Sequence, residues 1–366
     1  MMSNSYLQID LQALRDNIKT LRTEIGSETK LIPVIKGNAY GLGAVRLAQA
    51  MDEIGGIDTF AVSEAAEGVS LRKAGIRQQI LVMSLPLDCQ LEEAVEWNLT
   101  LTLGSFRQFP LFRALSQQKQ QRIPVSLKLD SGLHRIGFLP EEADRLIEAL
   151  KEAEHEIIVT DTFSHFSNTT EEGMRRQGGV FRSFLEKLCA AGIEPGFCHI
   201  SSSASVEASS DYLFDAVRIG RGLMMDHPDA NSGRIREVVS FRTFLADIHD
   251  RKAGDVLGYD RGIRIREATR VGILSVGYGD GLDPALAAAG APVLIRGQRA
   301  KLLGCCMDQS FVDLGVLDCE VGDTVTLFGS DGNGGFLSAQ EVASLIGCEG
   351  CDLTVRLTNR VERIYG

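Results

Sequence analysis

Cations are in short supply in this chain: 38 Lys and Arg stand against 49 Asp and Glu, a net charge of −11 over 366 residues. A phosphate-backbone partner needs clustered basic side chains to displace its counter-ions, so nucleic acid is excluded as a ligand class. Also missing is any run of about 18 apolar residues, which excludes a membrane-spanning helix. The opening MMSNSYLQID has no basic or apolar leader region, so no secretory signal is expected and the chain reads as cytoplasmic. Cysteines number eight (Cys89, Cys189, Cys198, Cys305, Cys306, Cys319, Cys348, Cys351), in a chain far too long to need staples. The C-x-x-C at Cys348–Cys351 has no second pair or nearby histidine, so no metal site is expected and the thiols read as reduced. Repeats, low-complexity tracts and long linkers are absent too. What remains, 44% hydrophobic and 24% charged residues, is the composition of a globular protein.

The length suggests two domains, and the pattern along the chain divides accordingly. Asp10 is placed to cap a helix carrying Leu11, Leu14, Ile18 and Leu21 at helical spacing. Eight short apolar runs then follow, at 31–36, 58–63, 79–84, 99–104, 124–130, 157–166, 196–201 and 215–220. Amphipathic stretches such as EEADRLIEALKEAE lie between them. Apolar strands alternating with helices predict a parallel sheet covered on its outer face. Eight such units fit a (β/α)8 barrel over residues 1–232, with a doubly wound open sheet as the structural alternative. From 233 to 366 the pattern becomes β-like runs, LTVRLTNRVERIY (353–365) among them, separated by Gly- and Asp-rich turns. One helix-like segment opens there with Ser338 and a Glu three residues on. This predicts a second, mostly antiparallel β domain, for an α/β chain as a whole.

A parallel barrel displays its functional residues at the carboxyl ends of its strands. The first run ends on Lys36, an ammonium that is costly to bury unless paired or deprotonated. It reads either as a rim lysine reaching solvent or as an amine of lowered pKa that forms a Schiff base. The seventh and eighth runs end in HISSSAS and VRIGRG, small and hydroxylated residues whose backbone N–H groups suit a phosphate. Amine and phosphate cradle on one rim point to pyridoxal phosphate.

The segments VIKGNAYGLG (34–43), KLDSGLHRIGF (128–138), SHF (164–166), HISSSA (199–204), VRIG (217–220), GYD (258–260), VGYGDG (276–281) and CMDQ (306–309) resemble, in order, those of the alanine racemase family. The resemblance runs from about residue 7 to 365. It implies a pyridoxal-phosphate barrel followed by a β domain, and an isomerase interconverting L- and D-alanine, as D-alanine supply for cell walls requires. Lys36 would hold the cofactor and act as acid and base on one face of the substrate α-carbon. Tyr259 of the other subunit of a homodimer would act on the opposite face. His165 would link Tyr259 to Arg218, and Arg218 would face the pyridine nitrogen. Arg135 would bind the substrate carboxylate, with Lys128 beside it carbamylated, or else an unmodified lysine paired with Asp130. Tyr40, Ser203, Gly220 and Arg221 would surround the phosphate. Met307 would enter the substrate site from the second subunit.

Two departures bear on substrate and cofactor. The family's S-Y-R-V-x-R reads TNRVER (358–363) here, so Asn359 replaces a tyrosine that crowds the substrate side chain. An amide opens volume and offers a donor and an acceptor, which suits serine or a larger amino acid. Arg221 adds a charge beside the presumed phosphate. Three readings therefore stand at this level: a racemase for alanine that also accepts serine, one acting mainly on serine or a larger amino acid, and a non-catalytic cofactor-binding protein. Tyr259 and a whole domain to carry it speak against the third.

Overall fold

The computed structural model describes residues 3–225, 235–259 and 262–366. The division expected between 232 and 233 lies outside the described residues. The chain forms two compact units. One comprises Lys19–Ala39 and Ala44–Gly222; the other comprises the segment ending at Ile18, Tyr40–Gly43 and Leu223–Gly366.

The first strand, β1 (Ser5–Ile9), belongs to the second unit, where sequence reasoning saw no element. Asp10 then caps the helix Leu11–Ile25, its Oδ1 accepting from Ala13 N–H at 2.8 Å. The eight apolar runs form β2 (Lys30–Pro33), β3 (Thr59–Val62), β4 (Gln79–Val82), β5 (Thr100–Leu103), β6 (Ile123–Lys128), β7 (Ile157–Phe163), β8 (Phe197–Ser202) and β9 (Ala216–Ile219). They pair in parallel, in the order β2-β9-β8-β7-β6-β5-β4-β3. A parallel bridge from Val34 to Ala61, with Ile35 N–H donating to Ala61 O (2.9 Å), joins β2 to β3 and closes the sheet into a barrel. Closure settles the choice against an open sheet. Side chains such as Ile32, Ala61, Leu81 and Ala216 fill the interior.

In the second unit, β10 (Val239–Arg251), β11 (Val256–Leu257), β12 (Ile263–Arg264), β13 (Thr269–Leu274), β14 (Pro292–Ile295), β15 (Gln298–Cys305), β16 (Ser310–Asp313), β17 (Thr324–Ser330), β18 (Phe336–Leu337) and β19 (Glu362–Tyr365) follow. Strands β10, β13, β16, β15, β14 and β17 form an antiparallel ring, because the long β10 pairs with both β13 and β17. The first half of β10 also pairs with β1, which in turn takes β19 in parallel. Ser338 caps its helix as expected, accepting from Glu341 N–H at 3.0 Å. The run at 353–365 is not continuous β: Gly350–Val355 is helical and only Glu362–Tyr365 is strand. Thr354 Oγ1 donates to Tyr40 O (2.7 Å), so the β-branched residue serves a helix here.

Candidate active site

Strands β2, β9 and β8 are neighbours, and their register sets one rim of the barrel. Pro33 pairs with Ile219 and Val34 N–H donates to Ile219 O (2.8 Å), so Lys36 follows β2 where Gly220 and Arg221 follow β9. On the next strand, Ser203 opens a short helix directly after β8, and its hydroxyl accepts from Gly222 N–H (3.3 Å). Lys36, Ser203, Gly220 and Arg221 therefore share the carboxyl ends of three adjacent strands. Behind Lys36 the chain makes a left-handed turn, with φ between 52° and 60° at Gly37, Asn38, Ala39 and Tyr40. Three non-glycine residues in that region store strain of a kind found at functional sites. The Asn38 carboxamide closes the turn by accepting from Ala44 N–H (2.9 Å).

Arg218 on β9 is buried inside the barrel and ties the site together. Its Nη2 donates to Ser164 O (2.7 Å), Ile200 O (3.1 Å) and His165 Nδ1 (3.1 Å), and its Nη1 to His199 Nδ1 (2.5 Å). A guanidinium only donates, so both Nδ1 atoms carry lone pairs and both imidazoles hold their proton on Nε2. His199 passes its Nε2–H to Asp161 Oδ1 (3.0 Å). Burial, with the neighbouring Arg218 cation, lowers His165 to about 3. Burial likewise lowers His199 to about 4 against the opposing pull of Asp161. Both rings are neutral near pH 7, as the hydrogen bonding requires.

Lys128 closes β6 and is buried, its ammonium donating to Leu129 O (2.5 Å) and lying 5.3 Å from the Phe163 ring centre. Arg218 lies over the same ring, also at 5.3 Å. Burial, reinforced by the Arg218 charge, lowers Lys128 to about 7. Asp130 is occupied elsewhere. Its Oδ1 accepts the amides of Gly132 (2.9 Å), Leu133 (3.0 Å) and His134 (3.0 Å), and its Oδ2 accepts Arg135 N–H (3.1 Å). One carboxylate thus folds the loop that presents the exposed Arg135.

Tyr40, Tyr259, Met307 and Asn359 belong to the other unit. Tyr259 follows the short strand β11, 76% exposed, and its carbonyl accepts from Gly262 N–H (2.6 Å). Met307, 49% exposed, shares a cluster with the exposed Asn359. Gly279 N–H donates to Met307 O (2.8 Å), and Arg360 bridges Asp280 (3.0 Å) and Asp308 (2.7 Å). Thr358 N–H donates to Asp280 O (3.0 Å), which completes the join between 277–281, 306–309 and 358–360.

From the sequence alone, Asp161, His199 and Asp280 had no assigned role, and Asp130 was named only as the partner of an unmodified Lys128. A polar residue inside an apolar run (Asp161, His199) was the available signal, but its partners lie on other strands.

The donor set fits a phosphorylated aldehyde bearing a basic ring nitrogen. An amine and small or hydroxylated residues share the rim, and a donor-only guanidinium stands inside it.

Known proteins match the chain along most of its length. Residues 9–228 match the model of the alanine racemase N-terminal domain, and 238–365 that of the alanine racemase C-terminal domain. The alanine racemase of Streptococcus uberis is 34% identical over 364 residues, covering 98% of this chain and 96% of that protein. Among solved structures, alanine racemase from Clostridium difficile 630 superposes with a TM-score of 0.91 at 27% identity, over 100% of this chain and 96% of that one. The enzyme from D-cycloserine-producing Streptomyces lavendulae gives 0.92 at 28% identity, over 100% of this chain and 98% of that one.

Proposed function

This chain belongs to the alanine racemase family, and from that premise we propose that it interconverts L- and D-alanine, with pyridoxal phosphate held on Lys36 and a second copy of the chain completing each site. The observation that carries the reading is the rim where Lys36, Ser203 and Gly220–Arg221 end three neighbouring strands around the buried Arg218. When bound, pyridoxal phosphate supplies an electron sink that acidifies the substrate α-hydrogen.

The protein's own groups do the rest. Lys36 Nζ moves a proton on one face of the α-carbon. Tyr259 of the partner subunit moves it on the other through its phenol oxygen. In this chain Tyr259 and Met307 are exposed, as residues serving a neighbour must be before assembly. Because Arg218 occupies His165 Nδ1, the imidazole keeps an Nε2–H with which to steady the phenolate. Arg218 only donates, so a basic ring nitrogen placed before it would find no proton there, and a bound cofactor would be a weaker electron sink than a protonated one. Arg135, on the loop folded by Asp130, takes the substrate carboxylate in a two-pronged grip. Ser203, Gly220 and Arg221 at the rim would hold the phosphate, and the family resemblance adds Tyr40.

Borohydride reduction of the holoenzyme followed by peptide mapping should place the label on Lys36. A label on another lysine, or none with cofactor supplied, refutes the assignment. Tyr259→Phe should block exchange of the α-proton from one enantiomer in deuterated water, whereas equal residual exchange from both contradicts the two-base reading.

Serine is the second substrate of this reading. Asn359 and Met307 stand on interlocked segments, and Asn359 is exposed where the family carries a bulkier ring. One hydrogen bond from the amide to a serine hydroxyl contributes about 0.5–1.5 kcal/mol, or roughly 2- to 12-fold in relative kcat/KM. Asn359→Tyr should shift the serine-to-alanine ratio toward alanine by that factor, and an unchanged ratio removes this position from specificity. Eight cysteines without a disulfide accord with a cytoplasmic enzyme.

A further inference from the structure

A buried carboxylate stands behind the site with no part in the steps above. Asp161 lies on β7 inside the barrel and is fully buried. Side chains from three other strands converge on it. Oδ1 accepts from His199 Nε2 (3.0 Å) and from the Ser126 hydroxyl, while Oδ2 accepts from Gln79 Nε2 (3.4 Å) and from its neighbour Thr160 Oγ1 (2.9 Å). A carboxylate is costly to bury without such donors and a cation to balance it.

The cation it reaches is Arg218, through His199. Arg218 offers only donors, so His199 must present a lone pair at Nδ1 and carry its proton on Nε2. That proton needs an acceptor, and Asp161 is the one. The imidazole is stacked against Phe163 (5.4 Å, 9°) and against Phe197 (5.4 Å, 21°). The ring is thereby fixed in plane by the aromatics, in tautomer by both hydrogen bonds, and in polarity by the carboxylate behind it.

We propose that Asp161 is a positioning residue of the racemase, holding Arg218 in orientation and full charge through His199. This rests on the reading that Arg218 faces the cofactor ring. Asparagine at 161 keeps the shape but removes the charge, and its amide can donate to Nε2, which would turn a proton onto Nδ1 against Arg218. In the holoenzyme Asp161→Asn should lower kcat for alanine about 10- to 100-fold with KM within about threefold, and shift the visible absorption of the bound cofactor. Asp161→Glu should restore part of both. A residue that merely braces the barrel would lower the melting temperature without moving the spectrum. In the cofactor-free full-length protein, nitrogen NMR of labelled histidine should find the His199 proton on Nε2.

Unchanged kcat and spectrum in a folded Asp161→Asn protein overturn the proposal, as does a wild-type His199 protonated on Nδ1. Should Asp161→Asn not fold, His199→Gln keeps an acceptor for Arg218 and a donor for Asp161, and should lose less kcat than His199→Leu; equal losses overturn it. If borohydride labels no cofactor on Lys36, the functional reading fails separately, and the tautomer in the cofactor-free chain still decides whether Asp161 orders His199.

Discussion

At Lys128 a single environment decides both stability and chemistry. Burial and the Arg218 charge bring its amine from 10.5 to about 7. The unfolded chain therefore binds a proton between pH 7 and 10.5 that the folded chain does not. Stability rises with pH across that window, and below pH 7 the folded state carries the whole penalty of a buried ammonium. Lys128→Met keeps length and removes the charge. In buffer free of carbon dioxide it should stabilise the protein at pH 6 and do so progressively less toward pH 10, as followed by urea unfolding. A difference independent of pH would show that the amine is not strained by burial. An amine near half-neutral at pH 7 is also the nucleophile that carbon dioxide needs. Isotope-labelled bicarbonate should accordingly mark Lys128, and the mark should vanish in Lys128→Met.

The loop from 131 to 137 shows how one side chain makes an element. Four consecutive amides, Gly132 to Arg135, end on the Asp130 carboxylate. The far end is pinned by backbone contact: a Cβ on Gly137, at φ +115°, would stand 2.8 Å from Lys128 O. Asp130 is buried, and burial alone would raise its carboxyl. The amides of His134 and Gly132, joined by the Lys128 charge, outweigh that and hold it below the ordinary value. Asp130→Ala leaves four donors unpaired and frees the backbone that carries Arg135. About 2–3 kcal/mol of stability should be lost. If Arg135 binds the substrate carboxylate as proposed, KM for alanine in steady-state kinetics should rise at least about tenfold, more than kcat falls, because the loop then presents a binding group rather than a proton carrier. Equal losses in kcat and kcat/KM would instead place Arg135 in the transition state alone.

Across the whole molecule, what could be read from sequence followed from how each residue finds its partners. The barrel was legible because its strands are mostly buried and read as short, largely apolar runs, among them those that lead to Lys36 and carry Lys128 and Arg218. Strand β1 was not, since its partners Val239–Thr243 lie more than two hundred residues on and five alternating residues give little signal. Gly350–Val355 misled for the opposite reason: β-branched residues suggested a strand, but Thr354 turns its hydroxyl to Tyr40 and packs as helix. Asp161 and His199 were visible as polar residues in apolar strands, but their pairing across β7 and β8 was not. That pairing carries a prediction for the entire fold. Folded His165 and His199 titrate at about 3 and about 4, whereas in the unfolded chain both bind protons below 6.5. Their contribution is whole above pH 6.5 and is lost as acid approaches the folded values. From pH 6.5 to about 5 the two together should withdraw about 3 kcal/mol, above the range where most carboxylates titrate. Urea unfolding of the cofactor-free protein at several pH values should reveal this slope, and His199→Gln should remove about half of it. A slope unchanged by that substitution would mean that His199 is not held neutral in the folded barrel, and the tautomer argument built on Arg218 would fall with it.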